Sequence, residues 1–571
     1  MPTALGIPVL IGIRNRLRAE NLFDTETTKP TQSQAKAPVS VGGPSRTTDG
    51  TFNDLSNPAM GSVGSRFGRN VPPEYAYPEK PPKLFTPNPR TVSLELLTRT
   101  KFQPATSVNA LVAAWLQFEV HDWFHHGVNE QDQPLEIDLT DDDPWHERPM
   151  RVQRTRRDKT WSGEGPETFV TADSHWWDSS QIYGSDPEFA KKVRAFEDGK
   201  VRMGPDGLRP ADLDEGLDFR GVAGSFWLGL DLLHTVFMLE HNSICDALKK
   251  EYPTWSDEQL FVKARLINAA LMAKIHTVEW TPAVIAHPTT IRAMHANWYG
   301  IAGKKVKRKV GRIGKGEVFS GIPGSPADHH GVPYSLTEEF VSVYRMHPLI
   351  PDDYTFRSIA TDEVIEERTF NELTALHSRE RLQSIGIEHA FYSLGIAHPG
   401  AIVLHNNPKF LQRFERPDGT VMDLAATDIL RVRERGVPRY NQFRRLFHTN
   451  APRTFEELTT NPVWAEEIRK VYDNEIEMVD LMVGLYSEPL PKGFAFSDTA
   501  FRVFILMASR RLKSDRFFTD DYRPEVYTQL GLDWIDDTTM ISLLLRHYPQ
   551  LEPALRGLDN AFVPWNRTAR T

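Results

Sequence analysis

The sequence predicts a mainly α-helical protein whose mass lies in one large domain with few short strands. Three observations carry that expectation. Apolar residues recur at helical spacing in successive runs from about Leu94 onward, strand-type alternation is rare and brief, and no segment repeats at a fixed period. Apolar stripes on many helices are stable only when packed against one another around a shared core. The expected organisation is an N-terminal extension over 1–50 and a single domain over 51–571.

At the N-terminus a short apolar run, Leu5 to Ile13, is followed by Arg14, Arg16 and Arg18. A secretory signal places its charge before the apolar run and a small-residue cleavage site after it, so the order here is inverted. The run is also too short to span a bilayer. It reads equally as an amphipathic helix making peripheral membrane contact and as a helix docked on the body. Thr28 to Gly50 is rich in Pro, Ser, Thr, Gly and Gln and reads as a linker. Helices are expected over Asn109–His121, Leu228–Leu248, Phe261–Trp280, Glu338–His347, Ile468–Tyr486 and Phe501–Leu512, the fourth of them stopped by Pro348. Two basic clusters, Arg151 to Lys159 and Lys304 to Lys315, read as solvated loops.

Composition narrows the function classes. Mean hydropathy is −0.43, which excludes a multi-span membrane protein. Formal net charge is −9, and neither basic cluster has interleaved aromatics, so nucleic acid is not an expected partner. The 13 Trp and 31 Phe suit an aromatic interior that takes a flat hydrophobic cofactor. Cys245 is the single cysteine, so no intrachain disulfide can form and a reducing compartment is expected. The location expected is cytoplasmic or at a membrane surface, without secretion. Oligomeric state is not legible.

The chemistry-bearing segments are few. Tyr344 and His347 stand three apart, which on a helix puts a phenol and an imidazole on one face. Far upstream, Gln117 and His121 stand four apart and also share a face. Two separated histidines and a redox-active tyrosine suggest a haem held between them. Asp122 follows His121 and points about 100° away around the helix, so it needs another role. In Ser174-His-Trp176-Trp-Asp178-Ser-Ser180, alternate positions of an extended loop would offer hydroxyl, main-chain carbonyl, carboxylate and hydroxyl oxygens. With Asp122 that makes an all-oxygen shell suited to Ca²⁺.

These segments, in order, resemble the animal-type haem peroxidase superfamily, which includes the cyclooxygenases, and most closely its fatty-acid α-dioxygenases. The carrying motifs are Trp115-Leu-Gln-Phe-Glu-Val-His121-Asp122-Trp, Trp176-Trp-Asp178-Ser-Ser180-Gln-Ile-Tyr-Gly184, Ala273-Lys-Ile-His276-Thr-Val-Glu-Trp-Thr281, Asn297-Trp-Tyr-Gly300, the Tyr344–His347 segment and Ala508-Ser-Arg510-Arg511-Leu512. The resemblance implies a cyclooxygenase-like helical fold with His121 as distal histidine, Gln117 beside it, His347 as iron ligand and Tyr344 as radical site. It implies a calcium site from Asp122, Ser174, Trp176, Asp178 and Ser180, and a fatty-acid carboxylate site from His276, Thr281 and Arg510. Asp428 and Arg431 correspond to side chains that support the proximal histidine and a haem propionate. Arg510 ends an apolar helical run, where a cation needs an anionic partner.

Departures from the pattern also inform. Val120 stands where the mammalian peroxidases place an ester-forming aspartate, so the haem expected is non-covalent haem b. Ala223 and Phe226 stand where those enzymes carry an arginine and a glutamate ahead of the His-Thr pair, here His234-Thr235. Assisted peroxide cleavage should then be weak. The resemblance implies a dioxygenase whose tyrosyl radical takes hydrogen from C2 of a long-chain fatty acid and adds O₂, giving a 2(R)-hydroperoxy acid. The alternatives are a haem peroxidase oxidising small reductants and a non-catalytic haem- and calcium-binding protein. Neither uses both Tyr344 and the carboxylate-binding trio.

Overall fold

The computed structural model describes residues 3–25, 43–120, 123–213, 226–374, 376–415 and 419–568. Helix α1 (Thr3–Glu20) covers the N-terminal apolar run. Helix α2 (Leu111–Val120) starts just after Asn109, whose side-chain oxygen accepts the Leu111 N–H at 3.1 Å. Helices α3 (Leu228–Glu251) and α4 (Asp257–Ile275) follow, the second opened by a reciprocal capping box between Ser256 and Gln259. Next come α5 (Pro288–Tyr299), α6 (Gly303–Val310), α7 (Glu338–Val343), α8 (Leu424–Glu434) and α9 (Asp498–Ser514). Thr337, Asp423 and Ser497 cap the last three by accepting N–H bonds from Phe340, Ala426 and Ala500.

Helix α2 is apolar almost all round, and such a helix must lie inside the molecule. It packs on α3, which packs on α4. Trp115 and Phe118 of α2 meet Phe237 of α3 with ring centroids 5.6 Å apart in each pair. Fully burying one such side chain is worth about 3 kcal/mol, so this seam sets the frame. Helix α9 packs on α7 and closes the other side. Among the described residues the strands form three antiparallel pairs: β1 (Glu130–Ile137) with β2 (Met150–Arg154), β3 (Asp353–Arg357) with β4 (Val364–Thr369), and β5 (Phe414–Glu415) with β6 (Val421–Met422). Leu135, Ile137, Met150 and Val152 face Trp145 in a small satellite core.

Helix α1 docks on α5 and α9. Leu17 is buried, and Arg14 and Arg18 both reach the Glu317 carboxylate, at 2.6 and 2.7 Å. No described helix is long and apolar enough to cross a membrane. Three sequence expectations need correction. The helix expected over Ile468–Tyr486 is broken into Pro462–Val471, a 3₁₀ turn Ile476–Met478 and Leu481–Ser487. Asp473 and Asn474 adopt left-handed φ of 49° and 60°, and Asp480 is clasped by Arg433 and Arg439, which holds the break in place. The basic cluster from Arg151 contributes Arg151–Arg154 to β2, and the cluster from Lys304 begins inside α6 rather than in a loop. Most of the linker expected over Thr28 to Gly50, its residues 28–42, lies outside the described residues.

Candidate active site

Helix α7 ends at Val343, one residue before the phenol-bearing position. Tyr344 is its C-cap, and His347 opens a separate 3₁₀ turn, His347–Leu349. A continuous helix through His347 was the expectation; Pro348 has no N–H to give the Tyr344 carbonyl four residues back and its ring crowds that oxygen, so the α-helix does not run on past Tyr344. Tyr344 and His347 still line one cavity of about 350 Å³, together with Gln117, Phe124 and Asp428. Their shared face therefore comes from a helix end and a turn, not from helical periodicity.

Asp428 projects from α8 and is buried. Its Oδ2 lies 3.1 Å from His347 Nδ1, and Arg345 pairs with Oδ1. Burial alone would raise this carboxyl, but Arg345 and His347 outweigh it and hold it below the usual carboxylate range. Arg431 lines the cavity, and its guanidinium is held by Glu434 at 2.6 Å, by Thr155 at 3.1 Å and by the Gln153 carbonyl. Arg435, one turn on, also lines the cavity from a buried position, 3.7 Å from Glu338. His126 lines it too, with Nε2 2.9 Å from Glu338 and its ring stacked on Phe67 at 4.1 Å. The Gln117 amide oxygen, also at the cavity, accepts the Trp227 indole N–H at 2.8 Å. His121 and Asp122 lie outside the described residues, as does Ala223.

A second group of polar side chains is buried behind Tyr344. After α4 the backbone widens into a π-turn, His276–Trp280, in which the Thr281 N–H donates to the His276 carbonyl. An α-helix would set residues five apart about 140° from each other; the π-turn closes that angle and aligns His276 with Thr281. The Trp115 indole N–H donates to His276 Nδ1 at 3.1 Å, which leaves the proton on Nε2. Burial, reinforced by Arg511, lowers this histidine to about 3, so it stays neutral. Thr281 Oγ1 is buried with no hydrogen-bond partner among the described residues.

The two adjacent arginines of α9 diverge. Arg510 spends its donors on main-chain carbonyls, reaching Val332 at 2.7 Å and Pro333 at 2.9 Å. Arg511 stacks on Trp123 at 3.5 Å and on Trp177 at 4.9 Å. The His276 ring packs on the same two tryptophans, at 6.3 and 5.2 Å. Arg511 is buried, and its Nε and Nη1 have no hydrogen-bond partner among the described residues. Sequence reasoning singled out Arg510 and passed over Arg511, although both stand in one motif. Nearby, Glu119 gives one oxygen to the Trp177 indole at 3.0 Å, and its other is buried without a partner among the described residues. Burial pushes Glu119 up to about 7 against the pull of Trp177 and Arg511. The Tyr344 hydroxyl is likewise buried without a partner among the described residues, and burial drives it well above the ordinary phenol range.

The Ser174–Ser180 loop is not extended throughout, as had been expected. Ser179 takes a left-handed φ of 62°, and Ser180 starts a short helix, Ser180–Tyr183. Ser174 Oγ accepts the Trp176 N–H at 3.1 Å, and Asp178 Oδ1 accepts the Ser180 N–H at 3.2 Å. Asp178 is buried, and its Oδ2 has no hydrogen-bond partner among the described residues. Gly50 closes over this loop so tightly that a Cβ there would sit 2.5 Å from Ser174 Oγ. Among the described residues no three His, Cys, Asp or Glu side chains cluster. The oxygens the loop brings are hydroxyl, carbonyl and a single carboxylate.

A helical body, a deep cavity floored by a carboxylate-supported histidine, and a tyrosine on its wall define a haem peroxidase type of protein. The chain belongs to the animal haem peroxidase family, whose model matches residues 45–558. Within that family it falls among the alpha-dioxygenases. It is 38% identical over 541 residues to alpha-dioxygenase PIOX of Oryza sativa subsp. japonica, spanning 91% of this chain and 86% of that one. It is 38% identical over 586 residues to alpha-dioxygenase 1 of Capsicum annuum, spanning 99% and 89%. The crystal structure of the Oryza sativa fatty acid alpha-dioxygenase matches with a TM-score of 0.90 at 36% identity, over 99% of this chain and 94% of that one. A Tyr-to-Phe variant of the same enzyme, solved with palmitic acid, matches at 0.91 and 36% identity over the same shares.

Proposed function

We propose that this chain is a haem-dependent fatty-acid α-dioxygenase that converts a long-chain fatty acid and O₂ into a 2(R)-hydroperoxy acid. The observation that carries this reading is the setting of Tyr344. Its phenol lines the His347 cavity and is buried with no hydrogen-bond partner among the described residues, in the electrostatic field of Arg511.

His347 would hold the haem iron, with Asp428 making the imidazole a stronger donor. Arg431 and Arg435 line the cavity where a propionate would need a cation. No covalent attachment is expected with Val120 before His121. Haem, when bound, supplies the one-electron oxidation that makes Tyr344 a phenoxyl radical. Arg511 and the Nε2–H of His276, with the Thr281 hydroxyl, take the substrate carboxylate; Arg510 fixes the loop over it by holding carbonyls of 332 and 333. Anchoring the head group sets C2 against the Tyr344 oxygen. No double bond weakens that C–H bond, so position decides where abstraction occurs. Tyr344 gains the hydrogen atom and leaves a radical at C2. O₂ adds there, and the peroxyl radical takes the hydrogen atom back from Tyr344, which restores the phenoxyl radical and releases the hydroperoxide. The proton Tyr344 retains at neutral pH keeps this a transfer of hydrogen atoms rather than of bare electrons. His121 and Gln117 would offer an imidazole and an amide to a peroxide entering the haem pocket. Asp178, Ser174, Ser180 and the Trp176 carbonyl, with Asp122, would hold Ca²⁺ beside α2.

The test is O₂ uptake by the haem-loaded protein given palmitate, with the product read by mass spectrometry. A 2-hydroperoxy acid, or its one-carbon-shorter aldehyde, is the expected product. Tyr344→Phe should keep the haem Soret band and lose O₂ uptake. Uptake by that variant would sink the mechanism.

A further inference from the structure

Helix α6 is amphipathic in the opposite sense to an ordinary surface helix, which buries its valines and turns its lysines to water. Here the Lys307 ammonium points inward and donates to the Trp298 carbonyl at 3.1 Å. Lys304 reaches the Asp536 carbonyl at 2.7 Å. Val306 and Val310 face outward, the second 64% exposed. The loop after α6 repeats the pattern: Arg312 turns in to the carbonyls of Gly321 and Pro323, at 2.9 and 3.0 Å, while Ile313 stays exposed. Ile301 and Phe319 extend the ridge, joined where the Ile301 N–H donates to the Val318 carbonyl at 2.9 Å. Ile301, Val306, Val310, Ile313 and Phe319, all within one short stretch of chain, are five of the eighteen exposed large hydrophobic side chains among the described residues, too many to be scattered at random.

The charge around the ridge is positive, on a chain whose net charge is −9. Lys305, Lys309 and Lys315 are exposed and make no ion pair with the described residues. The acids nearby are already committed: Glu317 to Arg14 and Arg18, and Asp537 to Lys304 and Arg308. A second copy of the chain would set these lysines against their own kind across a two-fold axis. A cleft lined by Ile7, Leu10, Ile301, Val318, Phe501 and Ile505 adjoins the ridge and touches α9.

We propose that α6 and the Ile301–Phe319 ridge dock the protein on an anionic lipid bilayer, with Val306, Val310, Ile313 and Phe319 entering the acyl boundary and Lys305, Lys309 and Lys315 at phosphate level. The docking stands on the inverted polarity of α6 and needs no particular reaction at the buried site.

Co-sedimentation of the full haem-loaded chain with vesicles tests it. Binding is expected to vesicles of mixed phosphatidylcholine and phosphatidylglycerol, and to fall away in high salt and on phosphatidylcholine alone. A K305E/K309E/K315E variant should lose roughly tenfold or more in vesicle affinity. V306S/V310S/F319S should lose a similar amount in low salt. Both variants change only exposed side chains, so the Soret band and thermal midpoint should match the parent, as should O₂ uptake with detergent-dispersed substrate. Absence of sedimentation with the anionic vesicles, equal binding to neutral ones, or binding that survives both variants would overturn the proposal.

Discussion

Arg510 and Arg511 are chain neighbours with different tasks, and the difference is measurable. Arg510 stabilises a loop through charge-assisted bonds to carbonyls. Arg510→Ala should lower stability by about 3 kcal/mol in chemical denaturation, leaving those carbonyls short of donors. Arg511→Ala should keep the fold and raise the KM for fatty acid by about tenfold or more, the loss of one charge-assisted anchor. Glu119 adds a pH signature. Its carboxyl holds its proton to about 7 in the folded protein, whereas its ordinary value is 4.5. Between those values the folded state binds the extra proton, so this group's contribution to stability falls as pH rises and is constant above the window. The cost at pH 8 amounts to about 3 kcal/mol. Glu119→Gln should flatten this part of the stability profile, gaining on the parent between pH 4.5 and 7.5 in denaturant melts. Motif order and the family resemblance singled out His347, Tyr344 and Asp428, which the structure gathers around one cavity. The sequence hid Arg511 and Glu119, because an arginine's partner and a carboxyl's desolvation are set by folding and leave no trace in spacing.

At the scale of elements, helices were legible and their ends were not. The runs at Leu228 and Phe501 appear as α3 and α9, each a few residues longer than the apolar pattern because caps and charged turns carry no periodicity. The π-turn at His276–Trp280 was invisible, since one wide turn barely disturbs a helical apolar stripe, yet it aligns His276 with Thr281. The break at Asp473–Asn474 was missed for the opposite reason: the apolar pattern continues across it. The Ser174–Ser180 loop carries its own prediction. If Ca²⁺ occupies the loop as proposed, chelating it should leave the buried Asp178 carboxylate with only the charges of Arg265 and Arg46 to offset its burial and loosen the attachment of the Gly50 segment to the core. The thermal midpoint should fall by several degrees on EDTA treatment and recover with added Ca²⁺; Asp178→Asn should remove that response.

For the whole molecule, a mainly helical body was readable because its apolar stripes are long and numerous. Where α1 would sit was not: an apolar run followed by arginines fits a membrane and a protein groove alike. In the structure Glu317, about 300 residues away, draws Arg14 and Arg18 onto the body. The same long-range logic surrounds Tyr344. Its ring neighbours are Phe124, Phe340 and Phe504, at 5.9, 4.6 and 6.0 Å. Phenylalanine is the aromatic side chain hardest to oxidise, whereas Trp123 and Trp177, the easily oxidised rings of this region, lie against Arg511. The three phenyl rings act as an insulating sleeve. An electron hole placed on Tyr344, as the proposed mechanism requires, would meet only phenyl rings among these described neighbours, so oxidising power would stay on the oxygen atom offered to the substrate instead of leaking into the tryptophan-rich interior.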